Sequence, residues 1–211
     1  MPRNWLSRAL EESRARGFLS SQDLKGQIAH ARGFYLVWES VRGGPPEKLL
    51  DLGSGGGLPG LVLADHWRCH VVLLDSMERR GSLLREVAEM EDAPPRLSVV
   101  VARAEDAARF ASLEGTFDLV TARSFAPPAV TAECAVRFLA IGGLVIVSDP
   151  PGGGEPGRWP EDGLSRLGLR ASGHLVGGFS YRVLEKTRET EERYPRSSGV
   201  PGRRPLWRCF T

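Results

Sequence analysis

Apolar residues in the first forty positions recur at helical spacing. Trp5, Leu6, Ala9 and Leu10 share one face, followed by Leu24, Ile28 and Ala29, then Phe34, Val37, Trp38 and Val41. This pattern predicts helix over 5–41, broken at Gly17 and Gly33 and closed by Gly43-Gly44-Pro45-Pro46. From Lys48 onward, short apolar runs alternate with amphipathic stretches. Strands are predicted at Lys48–Leu52, His70–Leu74, Leu97–Val101, Phe117–Ala122 and Leu144–Ser148. Between them lie predicted helices at Leu58–His66, Met77–Met90, Ala104–Phe110 and from Pro127-Pro128 to Leu139, after which Gly142-Gly143 turns into the fifth strand. His174–Val176 and Tyr181–Lys186 read as a closing hairpin or edge pair.

Five strands separated by helices imply a mainly parallel, twisted sheet with right-handed crossovers. The expected architecture is therefore α/β and Rossmann-like, with flanking helices and a terminal antiparallel edge strand. Residues 1–46 are expected to form a helical cap, too short to bury a core of their own, and residues 47–211 the main domain.

Composition narrows the function without naming it. The 211-residue chain suffices for one well-buried domain. Its longest apolar runs, such as Leu61–Ala64, fall far below the roughly 20 residues of a membrane span, and the N-terminus lacks the apolar core of a secretory signal. No membrane association and a cytoplasmic location are the expectations. Three scattered cysteines, Cys69, Cys134 and Cys209, form neither a disulfide framework nor a paired zinc motif, so reduced structural cysteines and no metal are expected. His66, Cys69 and His70 cluster where a helix ends and a buried strand begins, a poor place for a metal site. The net charge of +2 is uninformative, but Arg196, Arg203, Arg204 and Arg208 punctuate a C-terminal stretch from Tyr194 that has no acid. Taken alone, that stretch is equally a solvated tail and a nucleic-acid contact.

Chemistry concentrates in the run after the first strand, Asp51-Leu52-Gly53-Ser54-Gly55-Gly56-Gly57-Leu58-Pro59-Gly60. Parallel sheets bind ligands at the carboxyl ends of their strands, and glycines let the backbone approach a ligand closely. The helix that follows would present free amides and a positive dipole end. Gly55 to Gly60 satisfies the dinucleotide pattern Gly-x-Gly-x-x-Gly, whereas Asp51 through Gly57 satisfies the methyltransferase pattern with an acid two residues before the first glycine. Asp75, with Ser76, ends the second strand, where it would bind ribose hydroxyls of either cofactor or cap the next helix. By position, Gly53 and Leu58 would line the methionine and ribose side of a cofactor, and Ala104 and Glu105 would flank an adenine. Asp51, Ser54, Gly55, Gly57 and Pro59 complete the expected cofactor loop. Arg123 ends a buried strand at the same edge, where a charge needs a partner. It is the expected catalytic and substrate-side residue, with a structural ion pair as the other reading.

The longer pattern Leu49-Leu50-Asp51-Leu52-Gly53-Ser54-Gly55-Gly56-Gly57-Leu58-Pro59-Gly60 resembles the cofactor loop of the RsmG (GidB) family, bacterial methyltransferases that modify guanine N7 in 16S ribosomal RNA. Leu73-Leu74-Asp75-Ser76 with Arg79-Arg80, Leu84-Arg85-Glu86-Val87, Arg103-Ala104-Glu105, Thr121-Ala122-Arg123-Ser124-Phe125-Ala126-Pro127 and the segment from Tyr194-Pro195-Arg196 to Arg203-Arg204-Pro205-Leu206 are similar to later blocks in order. The resemblance implies a class I methyltransferase fold, S-adenosyl-L-methionine held by Gly53, Leu58, Ala104, Glu105 and Arg123, and ribosomal RNA or the small ribosomal subunit as partner. It also makes Arg196, Arg203 and Arg204 expected phosphate contacts. Three features depart from the family: the Asn-Leu-Thr segment is missing, Glu78 replaces a lysine, and Ser148-Asp149-Pro150-Pro151 replaces a lysine-containing segment. A methyltransferase for a small molecule or another RNA, or a catalytically silent cofactor- and RNA-binding assembly factor, is the alternative. Asp149-Pro150-Pro151 resembles an adenine-N6 methyltransferase motif but follows the fifth strand, not the fourth, and is read as a loop turn.

Overall fold

The computed structural model describes residues 4–20, 23–153, 157–176 and 178–208. Two helices, α1 (Asn4–Ala15) and α2 (Leu24–Arg42), precede the sheet. Strands β1 (Lys48–Leu52), β2 (His70–Asp75), β3 (Leu97–Val101), β4 (Phe117–Ala122) and β5 (Leu139–Asp149) alternate with α3 (Gly60–Trp67), α4 (Glu78–Ala88), α5 (Ala104–Ala107) and α6 (Pro128–Val136). Helix α7 (Glu161–Arg166), strands β6 (Leu169–Val176) and β7 (Phe179–Lys186) and the short helix α8 (Val200–Arg203) follow. The seven strands lie in the order β3-β2-β1-β4-β5-β7-β6. β1 through β5 are parallel and β7 is antiparallel to both neighbours.

The central strand shows why this arrangement buries itself. Leu49 belongs to an apolar layer with α1, α2, α3 and α4, while Leu50 and Leu52 belong to the opposite layer with α6 and α7. A strand covered on both faces needs apolar residues on both, which the run Lys48–Leu52 supplies. The predicted apolar face of the first helix is fully used: Trp5, Leu6, Ala9 and Leu10 are 0–2% exposed, and Trp5 Nε1 donates to Asp65 at 3.1 Å. The two cap helices therefore share one core with β1, β2 and α3.

Three expectations are corrected. Gly33 does not break the second helix: α2 runs straight through it, and the glycine instead makes room for the Tyr181 hydroxyl, 1.9 Å from where a Cβ would stand. Gly142-Gly143 does not separate helix from strand. β5 already pairs at Leu139 and absorbs the glycines as a register shift between Phe117↔Leu139 and Leu119↔Leu144. The third helix starts at Gly60 rather than Leu58, after a cis Leu58-Pro59 peptide.

Strand order reverses between β1 and β4, so the carboxyl ends of these two strands open a crevice between crossovers that leave in opposite directions. The glycine run lies at that point.

Candidate active site

The loop after β1 is held from below. Gly53 and Ser54 amides both donate to the Leu74 carbonyl, at 2.8 and 2.9 Å, tying the turn to the end of β2. Ser54 Oγ donates to the Asp51 carbonyl at 2.9 Å, and the Gly57 amide to the Ser54 carbonyl at 2.7 Å. Gly53, Gly55 and Gly57 have φ of 72°, 55° and 98°, a region closed to most side chains. Asp51 is 1% exposed and accepts from Thr121 Oγ1 at 2.8 Å and from the Gly60 amide at 3.0 Å. Burial pushes its carboxyl up to about 6, with the Thr121 hydroxyl and Gly60 amide pulling the other way. The first amide of α3, expected to await a ligand, is thus consumed by Asp51. Asp51, Ser54, Gly57, Leu58 and Pro59 are buried parts of the loop's frame.

Above that frame lies a crevice of about 250 Å³, just under the usual size of a small-molecule pocket. Of the residues expected at a cofactor site, Gly53, Asp75, Ser76, Ala104 and Glu105 line it. Asp75 takes the capping role and ties the glycine loop to the end of β2. One carboxylate oxygen accepts from the Met77 amide at 2.9 Å, capping the turn into α4, and the other accepts from the Gly55 amide at 2.9 Å and faces Arg80 at 3.5 Å. Glu105 is 3% exposed; burial alone would raise its pKa, but the Gly199 amide at 2.9 Å and Arg103 at 3.1 Å hold it below the usual carboxylate range.

Arg80, Phe125 and Gly202 also line the crevice and were not singled out as ligands from sequence. Arg80 Nε is buried without a partner. Phe125 packs against the loop, with Cδ2 2.5 Å from where a Gly53 Cβ would stand. Its signal was available, since β1 and β4 are parallel neighbours that pair Asp51 with Thr121, so the residues just beyond each strand meet.

Arg123 is not part of the crevice wall. Its guanidinium lies under the cap, where Nη2 donates to Gln27 Oε1 at 3.4 Å, and it lines an open cavity with Gln27, His30 and Phe179. Burial lowers its pKa while Asp51 and Tyr181 act to raise it. Ser124, with φ of 54°, turns the chain so that Ser124, Phe125 and Ala126 face two cavities at once: the crevice and a second cavity of about 330 Å³ at the ends of β4 and β5.

The C-terminal arginines divide. Arg196 pairs with the fully buried Glu133, through Nε at 2.8 Å, Nη2 at 2.7 Å and its own amide at 2.9 Å, a structural partner that the sequence reading did not anticipate. Arg203 and Arg204 are exposed on and after α8, beside Gly202 in the crevice wall. His66 bonds Glu39 at 3.0 Å and stacks on Tyr35, while Cys69 and Cys134 are buried thiols; Cys209 lies outside the described residues. Among the described residues, no group of three or more His, Cys, Asp or Glu side chains is placed to hold a metal, and no helix is long and apolar enough to cross a membrane.

Comparison with known proteins gives a consistent picture. Residues 32–148 match the family described as rRNA small subunit methyltransferase G. The chain is 37% identical to the ribosomal RNA small subunit methyltransferase G of Rubrobacter xylanophilus, across 81% of this chain and 69% of that protein. It is 33% identical to the protein of the same name from Symbiobacterium thermophilum, across 77% and 71%. Among solved structures, an O-methyltransferase from Bacillus cereus in complex with SAH superposes with a TM-score of 0.62 at 17% identity, covering 87% of this chain and 90% of that one. Cofactor-bound Rv0187 from MTB gives 0.61 at 20% identity over 88% and 90%. These two likenesses establish the class I methyltransferase fold.

Proposed function

Since the chain belongs to the rRNA small subunit methyltransferase G family, we propose that it methylates N7 of a guanine in small-subunit ribosomal RNA, using S-adenosyl-L-methionine. The observation that carries this reading is the paired arrangement at the switch point: a crevice built on Gly53, Asp75, Ala104 and Glu105 adjoins a second cavity, and Ser124, Phe125 and Ala126 line both.

The crevice suits a nucleoside. Gly53 lines it with bare backbone, and the buried, unpartnered Nε of Arg80 lies in the wall. Gly53 and Gly55 would bring backbone to the methionine and ribose portion, Asp75 would accept from ribose hydroxyls, and Ala104 with Glu105 would read the adenine edge. Leu58, Ser54 and Asp51 would act by holding the loop in shape. S-adenosyl-L-methionine supplies a methyl group already activated by its sulfonium. Guanine N7 offers a lone pair and no proton to remove, so this chain's task is alignment and charge matching rather than general-base catalysis. Arg123, beneath the cap and beside Asp51, would act on the acceptor side of the loop or on the methionine carboxylate. Arg203 and Arg204 would meet RNA phosphate. In this reading residues 1–46 form a helical cap on a methyltransferase domain of residues 47–211, and the protein works in the cytoplasm on ribosomal RNA or the small subunit.

Radiolabelled methyl transfer tests this, using naked small-subunit rRNA, small subunits lacking the modification, and a small-molecule extract as acceptors. Label should enter RNA as 7-methylguanine and be lost in Arg123→Ala while the fold persists. Label in the extract alone, or none anywhere despite cofactor binding, overturns the assignment.

A further inference from the structure

Four of the five residues 53–57 are glycine, and three of them serve the turn with their backbone: Gly53, Gly55 and Gly57 have positive φ. Gly56 differs. Its φ lies outside the left-handed region, so the turn itself would accept a side chain there. Nor does Gly56 line the crevice. What keeps it bare is space. A Cβ on Gly56 would stand 2.5 Å from Ser13 Oγ and 2.7 Å from Leu19 Cγ, and both residues belong to the cap.

The sequence builds that contact locally. Helix α1 ends at Ala15, and Gly17, with φ of 74°, turns the chain back so that the Phe18 amide donates to the Ser13 carbonyl at 2.9 Å. Leu19 thereby comes to lie with Ser13 against the loop. Ser13 is fully buried and its hydroxyl has no hydrogen-bond partner, so what it contributes here is shape. The same turn is fastened to α4. Arg16 Nη1 donates to Glu86 Oε1 at 3.0 Å, and the Arg79 guanidinium lies 6.0 Å from the centre of the Phe18 ring. The end of α1 thus spans the glycine loop and α4. Asp75 is held between these same two segments, through the Gly55 and Met77 amides.

We propose that Ser13 and Leu19 are positioning residues for the cofactor: seated on Gly56, they fix the glycine loop against α4 and so set where Gly53 and Asp75 stand in the crevice. The proposal rests on the reading of that crevice as the S-adenosyl-L-methionine site and adds the cap to its machinery. Neither side chain takes part in methyl transfer. Both act before it, by ordering the loop in advance so that less of the cofactor's binding energy is consumed in ordering it.

Calorimetric titration with SAH tests it without any acceptor or transfer. Gly56→Ala should weaken SAH binding about tenfold, because the overpacked methyl pushes the loop off its binding shape. Trimming the cap in that variant, with Leu19→Ala and Ser13→Gly, makes room for the methyl and should bring the affinity back to within about threefold of the wild type. Ser13→Gly also weakens α1, so the trimmed protein should bind SAH better than Gly56→Ala while melting no higher. A contact that only stabilised the fold would move affinity and melting temperature together. Undiminished affinity in Gly56→Ala, or no recovery in the trimmed variant, would overturn the proposal alone. A wild-type protein that binds no SAH would overturn the crevice reading and the proposal with it. Should Gly56→Ala fail to fold, Leu19→Ala with Ser13→Gly over the unaltered loop decides. A loss of SAH affinity beyond about threefold in that folded protein supports the proposal, and a smaller one overturns it.

Discussion

One buried and one half-buried group, Asp51 and His30, respond to pH in opposite senses. Burial pushes the Asp51 carboxyl from 3.8 up to about 6 in the folded protein, a difference of about 3 kcal/mol. An acid whose folded pKa is raised binds its proton more tightly when folded, so the stability it lends is fully present below the unfolded value and is lost as pH rises through about 6. His30 is the reverse: burial first, and then the charge of Arg123, lowers its imidazole from 6.5 to about 4. Its contribution is present above the unfolded value and is lost as pH falls through about 4. On going from pH 7 to pH 4 the two effects oppose each other. Urea denaturation at several pH values should therefore show Asp51→Asn losing stability on acidification more steeply than the wild type, and His30→Phe less steeply. Parallel curves for all three proteins would show that neither group is buried as described. The same depressed pKa keeps His30 neutral at physiological pH, so it meets any RNA as an uncharged ring.

At the level of elements, legibility followed sequence distance. The alternation of apolar runs with amphipathic stretches placed all five parallel strands, because the burial of the inner four, and the apolar residues of the edge strand β3, are written into their own sequences. The parts that could not be read depend on distant partners. Gly33 looks like a helix break until Tyr181 is placed against it, with the Tyr181 hydroxyl donating to the His30 carbonyl at 2.6 Å. Within the site, the glycine run and Asp75 were legible as a ligand edge, whereas Phe125 and Arg80 belong to it only through strand adjacency. The structural partner of Arg196 could not be read because Glu133, in α6, is 63 residues away and nothing local marks the pair. That pairing carries a consequence. Removing the guanidinium would leave Glu133 charged in a fully buried position, so Arg196→Ala should destabilise the protein by about 3–5 kcal/mol. Adding Glu133→Gln should recover part of that loss in chemical denaturation. A near-neutral Arg196→Ala that weakens RNA binding would instead return this arginine to the RNA surface.

Across the whole molecule, the C-terminal segment is both a structural strap and an exposed basic surface, and the two halves can be separated. Residues 194–199 are stitched to the main body: the Tyr194 carbonyl accepts from Arg137 at 2.7 Å, the Pro195 carbonyl from Arg109 at 3.1 Å, and the Gly199 amide donates to Glu105 at 2.9 Å. Glu105 lines the crevice, so the strap reaches the crevice wall directly, and Gly202 stands in that wall as well. Arg203 and Arg204 lie just beyond, exposed on the same side. Truncation after Arg193 should therefore abolish cofactor binding in calorimetry, since it unpairs the buried Glu133, takes the Tyr194 carbonyl from Arg137 and removes part of the crevice. Arg203→Gln with Arg204→Gln should leave that affinity intact. It should weaken RNA binding and flatten the slope of log K against log salt by about 0.7–0.9 for each phosphate that is no longer neutralised. An unchanged slope in the double variant would mean that the arginines are only solvated. Equal weakening of cofactor and RNA binding would mean that strap and surface act as one. Separate effects would show that RNA is engaged by a lip fixed to the cofactor wall, which couples the acceptor's position to the edge of the crevice.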